Sequence, residues 1–308
     1  MKKKTLLITH TDLDGISPII LLNLTGIKFE YKSVEIHDVL KTWEELKTEG
    51  LERFEEIFVT DLTLPQEIYD DIENMNLNVK VFDHHETHLF ANKYKYVDVR
   101  VDINGVKTCG TELFYLYLKK KFNELDKPII KEYVNYVREI DTFTFTSDIP
   151  RELDNLKSVY GSKEYIKTIT RRLKKNDEFK FTSFEKRYNK LKALEEQRYI
   201  DNRSEKLVRY KIDGHDVGVV FAERYKSDLG NVLSIDHPEL EFIILIDASS
   251  RISYRAVRDD VSVSEFASTY GGGGHKLASG SRFDDANREE IVKSYFKNVE
   301  KIEEEKVE

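Results

Sequence analysis

Between residues 5 and 100, short β-branched runs alternate with runs of helical periodicity, in the order TLLITH, SPIILLNL, FEYKSVEI, WEELKTEGLERF, EIFVTD, PQEIYDDIENM and VKVFDHH. This rhythm predicts βαβ units and a mostly parallel sheet, so the chain reads as α/β. Open parallel sheets bind ligands in the crevice beyond the carboxyl ends of their strands. Three such ends here carry ligand-type side chains: His10, Asp12 and Asp14; then Asp61; then Asp83, His84 and His85. Acids gathered at one rim repel one another, and a cation is the first explanation to test.

HTDLDG imitates the start of a calcium loop, with ligand types at positions one, three and five and glycine at six. The twelfth position, where a bidentate glutamate should close that site, is Leu21, inside an apolar helical run. The remaining ligands must therefore come from the other strand ends. Carboxylates with imidazole and no thiolate suit Mn²⁺ or Mg²⁺ better than structural zinc. The acids exceed what one ion needs, whereas two divalent cations sharing a carboxylate would neutralise them, clamp a phosphate and acidify a water between them. The reaction expected is phosphoester hydrolysis. FDHH could instead hold two core histidines, but adjacent residues of a strand face opposite sides, which would send one histidine to metal and the other to substrate.

Length and charge narrow the class. A chain of 308 residues predicts two domains, and we expect residues 1–150 to form the catalytic part, 151–205 a helical connector and 206–308 a smaller α/β domain with a mixed sheet. Residues 110–140 read as two helices, the second beginning at Pro128. The stretch 151–211 holds 18 Lys+Arg against 10 Asp+Glu in a chain of net charge −8, so a basic segment sits in an acidic protein. It reads as a solvated face with some attraction for polyanions. The overall charge argues against coating long duplex DNA. No apolar run is long enough to cross a bilayer, and MKKKTLLITH meets an acidic loop before it could form a signal peptide, so a cytoplasmic location is expected. The single cysteine, Cys109, excludes an internal disulfide and reads as packing. Further on, LVRYKIDGHDVGVVFA reads as a hairpin around Asp213-Gly214, EFIILID and RISYRAV as strands, VSVSEFASTY as a Ser-capped helix ending in GGGGH, and NREEIVKSYFKNVEKI as a final amphipathic helix.

At this point the sequence resembles the DHH phosphoesterase family over nearly its whole length. HTDLDG, VTD, FDHH and VREIDTF match the four motifs of the catalytic domain, and SYRAVRDDVSVSEFASTYGGGGHKLASG resembles the associated C-terminal domain with its glycine-histidine signature. The resemblance implies two Mn²⁺ ions, with Mg²⁺ or Co²⁺ as substitutes. Asp12 and Asp14 would bind one ion each, Asp61 would bridge them, and His84 and Asp141 would complete the coordination. His10, two residues before the first acid as in the exonuclease branch, would be a further ligand. Asp83 would orient or lie outside the ligand shell, and His85 would contact phosphate or act as acid. Asp98 and Asp102 rival Asp141 but fall in VDVRVDING, which reads as a solvent-facing turn around Asn104-Gly105.

GGGGH can bring backbone N–H groups close to an anion, so Gly272, Gly273 and Gly274 are expected to cradle a substrate phosphate or terminus, with His275 and Arg255 as donors. Arg255 is preferred to Arg251 and Arg258 because ISYRA matches the family's Ser-x-Arg position. Among family activities, pyrophosphatase is disfavoured by the glycine-histidine domain, and a processive exonuclease by length and charge. The expected substrate is a short single-stranded oligonucleotide or dinucleotide, cleaved to nucleoside 5′-monophosphates. Hydrolysis of cyclic dinucleotides or of 3′-phosphoadenosine phosphate is the alternative, and a catalytically inactive nucleotide-binding regulator the alternative of another class. A homodimer is left open.

Overall fold

In the computed structural model the described residues are 4–284, 289–290 and 293–294. The helix expected over 287–302 lies largely outside them. The described chain falls into two compact units, residues 1–189 and 190–308.

The first unit opens with β1 (Lys4–Thr9), α1 (Leu13–Thr25), β2 (Phe29–Ser33), α2 (Val39–Glu49), β3 (Phe54–Thr60), α3 (Gln66–Asn74), β4 (Val79–Asp83) and β5 (Val97–Val99). Their order in the sheet is β2-β1-β3-β4-β5, with every pairing parallel. Such an order reverses direction between β1 and β3, and that reversal opens the crevice in which open α/β sheets bind ligands. Layers on both faces explain why β1, β3 and β4 end in fully buried runs: Leu7, Phe58 and Phe82 pack with the helices of one side, and Ile8, Val59 and Val81 with those of the other.

A hairpin, β6 (Asp102–Ile103) and β7 (Val106–Lys107), turns through Asn104 and Gly105, both at positive φ. The helices α4 (Gly110–Leu118), α5 (Pro128–Asp141), α6 (Ile149–Lys175) and α7 (Ser183–Ser204) follow. The expected breaks at 150 and 205 are not where the compact units divide. Leu153, Leu156, Tyr165, Ile166, Ile169 and Leu173 of α6 belong to the same core as α1, α4 and α5, because α6 carries an apolar stripe beneath its charged face. The long connector expected from composition is thus shared between the units, and the division falls inside α7. α6 itself is interrupted at Gly161, at φ 68 and ψ 158.

The second unit comprises β8 (Val208–Ile212), β9 (His215–Phe221), α8 (Lys226–Asp236), β10 (Phe242–Ile246), β11 (Arg251–Ala256), α9 (Val263–Thr269), β12 (Gly273–His275) and β13 (Ala278–Arg282). Its sheet runs β12-β13-β11-β10-β9-β8, antiparallel except for the parallel pair β9 and β10. This is the expected mixed sheet. The hairpin turns at Asp213 and Gly214, both at positive φ, and Ser262 caps α9 by accepting from the Glu265 N–H.

Candidate metal and phosphoester site

Three loops bring the acids together at the β1/β3 reversal. After β1, Asp12 caps α1 by accepting from the Gly15 N–H at 2.8 Å. Thr9 and Thr60, the last residues of β1 and β3, share a hydroxyl contact of 2.7 Å, which ties the two acid-bearing ends together. Gly15 is obligatory, since a Cβ there would stand 2.2 Å from the His10 carbonyl oxygen. Asp61, at the end of β3, sits at φ 54 with a side chain 2 % exposed. A non-glycine residue held in the left-handed region marks a position where geometry outweighs local comfort.

The distances define two groups that meet at Asp61. In one, His10 Nδ1 lies 3.0 Å from Asp12 Oδ2 and 3.5 Å from Asp61 Oδ2. In the other, His84 Nε2 lies 3.4 Å from Asp61 Oδ1, 3.4 Å from Asp141 Oδ2 and 3.9 Å from Asp14 Oδ2. Asp61 Oδ2, His84 Nε2 and Asp141 Oδ2 are buried and have no hydrogen-bond partner among the described residues. Buried polar atoms are normally satisfied, so three converging orphans fit a missing cation. His10, Asp12 and Asp61 offer three ligand atoms within 4.8 Å of one another, as do Asp14, His84 and Asp141, and a further set joins Asp61, Asp83, His84 and His85. The donor set fits hard divalent cations.

Electrostatics carries the same message. Burial and the charge of Asp14 push Asp141 up to about 8, and burial with Asp14 also raises Asp61 well above the carboxylate range. The neighbouring Asp12 and Asp61 carboxylates lift His10 to about 10. Burial opposes ionisation of Asp12, yet His10 outweighs it and draws that carboxyl down to about 2. Burial and mutual repulsion of the carboxylates thus favour a positive charge or a bound proton within the cluster.

The structure separates the roles of the DHH run. Asp83 is fully buried; its Oδ1 accepts from the His84 N–H at 2.8 Å and meets His85 Nδ1 at 2.7 Å, while its Oδ2 meets His88 Nδ1 at 2.5 Å. Burial raises Asp83, but the two histidines outweigh it and hold the carboxyl well below its ordinary range. Asp83 thus holds the His85 ring through its Nδ1. His84 and His85 do not take opposite faces as expected. Their ring centroids are 4.4 Å apart, because β4 ends at Asp83 and strand alternation stops there.

Sequence reading missed His88, Gly110 and Thr111. His88 Nε2 accepts from the Leu64 N–H at 3.4 Å and contacts the Tyr69 hydroxyl, which anchors the far side of Asp83. Its signal was the third histidine of DHHETH. At the start of α4, the N–H groups of Gly110 and Thr111 donate to Asp14 Oδ2 and Oδ1 at 2.7 and 2.8 Å, and the Thr111 hydroxyl donates to the Asp14 carbonyl at 2.6 Å. Backbone donors at a helix N-terminus leave little trace in residue types. Cys109 is fully buried beside this clamp, with its thiol pushed well up by burial. Asp98 pairs with Arg100, and Asp102 Oδ1 accepts from the Gly105 N–H; neither is among the clustered ligand groups.

In the second unit, burial lowers the Arg255 pKa, and its Nε is buried without a hydrogen-bond partner among the described residues. Nη2 donates to Ser227 Oγ at 3.5 Å. The GGGGH run is not a loop but the turn into edge strand β12. A Cβ on Gly272 would stand 2.2 Å from the Gly280 carbonyl oxygen, and one on Gly274, at φ 141, 2.9 Å from that of Ala278. Those two glycines serve strand packing. Gly273 has open space where a Cβ would be; Gly273, Gly274 and His275 are exposed and Gly272 is half-buried.

No family model matches the chain. Oligoribonuclease NrnB of Bacillus subtilis is 31 % identical over 304 residues, covering 94 % of this chain and 76 % of that protein. The chain belongs to the DHH phosphoesterase family. Two solved structures share the fold of this DHH phosphoesterase: a pGpG-specific phosphodiesterase from Vibrio cholerae (TM-score 0.55, 13 % identity, 95 % of this chain and 97 % of that one) and an exopolyphosphatase-related protein from Bacteroides fragilis (TM-score 0.54, 14 % identity, 95 % and 91 %). The DHH phosphoesterase is a hydrolase of phosphoesters whose acid-histidine cluster could hold metal.

Proposed function

We propose that the protein hydrolyses short single-stranded oligonucleotides to nucleoside 5′-monophosphates, using two divalent cations, Mn²⁺ foremost. The observation that carries this reading is the pair of ligand groups joined at Asp61, with three buried ligand atoms lacking partners. His10 and Asp12 would serve one cation, Asp14, His84 and Asp141 the other, and Asp61 both. Such a pair supplies Lewis-acid polarisation of phosphoryl oxygens and an acidified water as nucleophile. The chain's own groups do the rest. Asp14, clamped by the Gly110 and Thr111 amides, keeps its ligand geometry fixed, and Asp83 fixes the tautomer of His85 by accepting its Nδ1 proton. Against the burial of its ring, the Asp83 contact also favours protonated His85, and the imidazolium so held would present an Nε2–H to meet a phosphoryl oxygen or to protonate the departing sugar oxygen. In the second unit we assign nucleotide binding to Arg255, Gly272, Gly273, Gly274 and His275. The name of the relative NrnB supports the substrate class. Among the described residues no helix is long and apolar enough to cross a membrane, and we place the activity in the cytoplasm.

The test incubates purified protein with Mn²⁺ and labelled RNAs of two to five residues, with pyrophosphate, 3′-phosphoadenosine phosphate and a cyclic dinucleotide in parallel. Release of 5′-monophosphates from the linear RNAs is the expected result. Turnover confined to another arm would reassign the substrate, and no turnover in any arm would leave the reading without support.

A further inference from the structure

On the flank of the first unit, α1 and α6 enclose a groove of about 440 Å³ lined by Asn23, Ile166, Thr170 and the cations Lys163, Lys167, Arg171, Lys174 and Lys175. Among the described residues, Lys167 alone of these cations has an ion-pair partner, Glu164 at 3.2 Å. The Thr170 hydroxyl is buried in the same place without a hydrogen-bond partner. The neighbouring Arg172 turns inward to Glu185 at 2.6 Å, so the outward cations are not a by-product of that buried pair. Five cations along one groove of a chain with net charge −8 is a local inversion of the protein's own field.

The spacing matches a repeating anion. Lys163, Lys167, Arg171 and Lys175 recur every four residues, a rise of about 6 Å per step, which is the scale of the repeat of an extended single strand. Asn23 stands nine residues after Asp14 on α1, so the groove begins roughly 14 Å along the helix axis from the metal acids. A dinucleotide, with its single phosphodiester, is too short to occupy both.

We infer that the α1–α6 groove is a second phosphate-binding surface that holds the backbone of single-stranded nucleic acid remote from the metal acids. The inference rests on the oligonucleotide reading above and adds a length dependence to it: strands of several residues gain affinity from the groove that dinucleotides cannot. Arg171 and Lys174 each neutralise a phosphate and Lys163 one two steps along the same row, and the Thr170 hydroxyl donates to a phosphate oxygen.

The full chain in EDTA, which prevents cleavage and leaves the metal acids repelling RNA, is titrated with a fluorescent seven-residue RNA across a NaCl series. Wild type is compared with Arg171→Glu/Lys174→Glu and with Thr170→Val, which keeps shape while removing the hydroxyl. The double reversal is expected to weaken binding at low salt by at least about tenfold and to flatten the salt slope by about 1.4, the share of two phosphate contacts to a single strand. Thr170→Val is expected to weaken binding with the slope unchanged. Equal affinity and slope in wild type and double reversal, or no binding by wild type, overturns the groove. Mn²⁺-dependent hydrolysis of a dinucleotide by the same preparations is the control: its absence in wild type counts against the oligonucleotide reading, whereas its presence beside an unmoved salt slope removes the groove alone.

Discussion

At the residue scale, Asp61 shows function opposing stability. Its φ of 54 places a side chain where glycine is the comfortable residue, and its carboxyl is buried among Asp12, Asp14 and Asp83. Asp61→Gly relieves both costs. We expect the variant, free of metal, to melt higher than wild type by the equivalent of about 1–3 kcal/mol, and to lose Mn²⁺-dependent turnover. A calorimetric comparison decides this, and a lower melting temperature for Asp61→Gly would refute the strain argument. His85 and Asp83 separate in kinetics. His85→Ala removes the group that we propose meets the substrate and should lower kcat about 10²- to 10⁴-fold. Asp83→Asn leaves the ring but disturbs its tautomer, so kcat should fall with a displaced pH profile, measured on the same dinucleotide. The clustered acids and histidines at 10–14, 61 and 83–85 stood out in the sequence because each group follows a strand, and Asp141 because it ends a helix; His88, anchored by Tyr69 and Leu64, did not, since only the folded 86–93 turn brings it under Asp83.

At the element scale, the site depends on how closely helices approach strand ends. The βαβ rhythm announced β1, β3 and β4 because buried parallel strands leave unbroken apolar runs. It did not announce the α4 clamp on Asp14, whose donors are main-chain N–H groups. Nor did it show that GGGGH would pair as β12, because four glycines carry no side-chain period to read. Composition also misled over 151–205: the charges of α6 were visible, while its buried stripe of Leu153, Leu156, Tyr165, Ile169 and Leu173 marks it as part of the first core. Gly15 is where approach is tightest. Gly15→Ala forces α1 away from the His10 carbonyl and should destabilise the chain by on the order of 3 kcal/mol. Because Asp12 and Asp14 move with α1, metal affinity should fall as well. Urea unfolding with and without Mn²⁺ measures both, and a variant as stable and as responsive to Mn²⁺ as wild type would contradict the packing read here.

At the scale of the whole molecule, the proposed metal site sets protons and cations in competition for one cluster of acids and histidines, all within residues 1–189. Asp141, ordinarily at 3.8, is held up to about 8 in the folded chain, so between those pH values the folded form keeps a proton that the unfolded form has lost. His10, raised from 6.5 to about 10, contributes stability that is complete below 6.5 and lost as pH climbs to 10. Asp12, drawn from 3.8 down to about 2, acts oppositely and only in acid, where its contribution disappears as pH falls. The metal-free protein should therefore lose stability steadily from pH 6 to pH 9. Divalent cations displace the same protons, so their binding should tighten over that window, and the gain in melting temperature on adding Mn²⁺ should be larger at pH 8.5 than at pH 6. Hydrogen exchange locates the effect. Mn²⁺ should slow exchange at the amides of residues 10–15, 61–64, 83–88, 110–111 and 138–142, the five segments that carry or clamp the proposed ligands, and leave the strands of residues 208–282 as they were. A Mn²⁺ response confined to the second unit, or a stabilisation that shrinks as pH rises, would place the cations elsewhere.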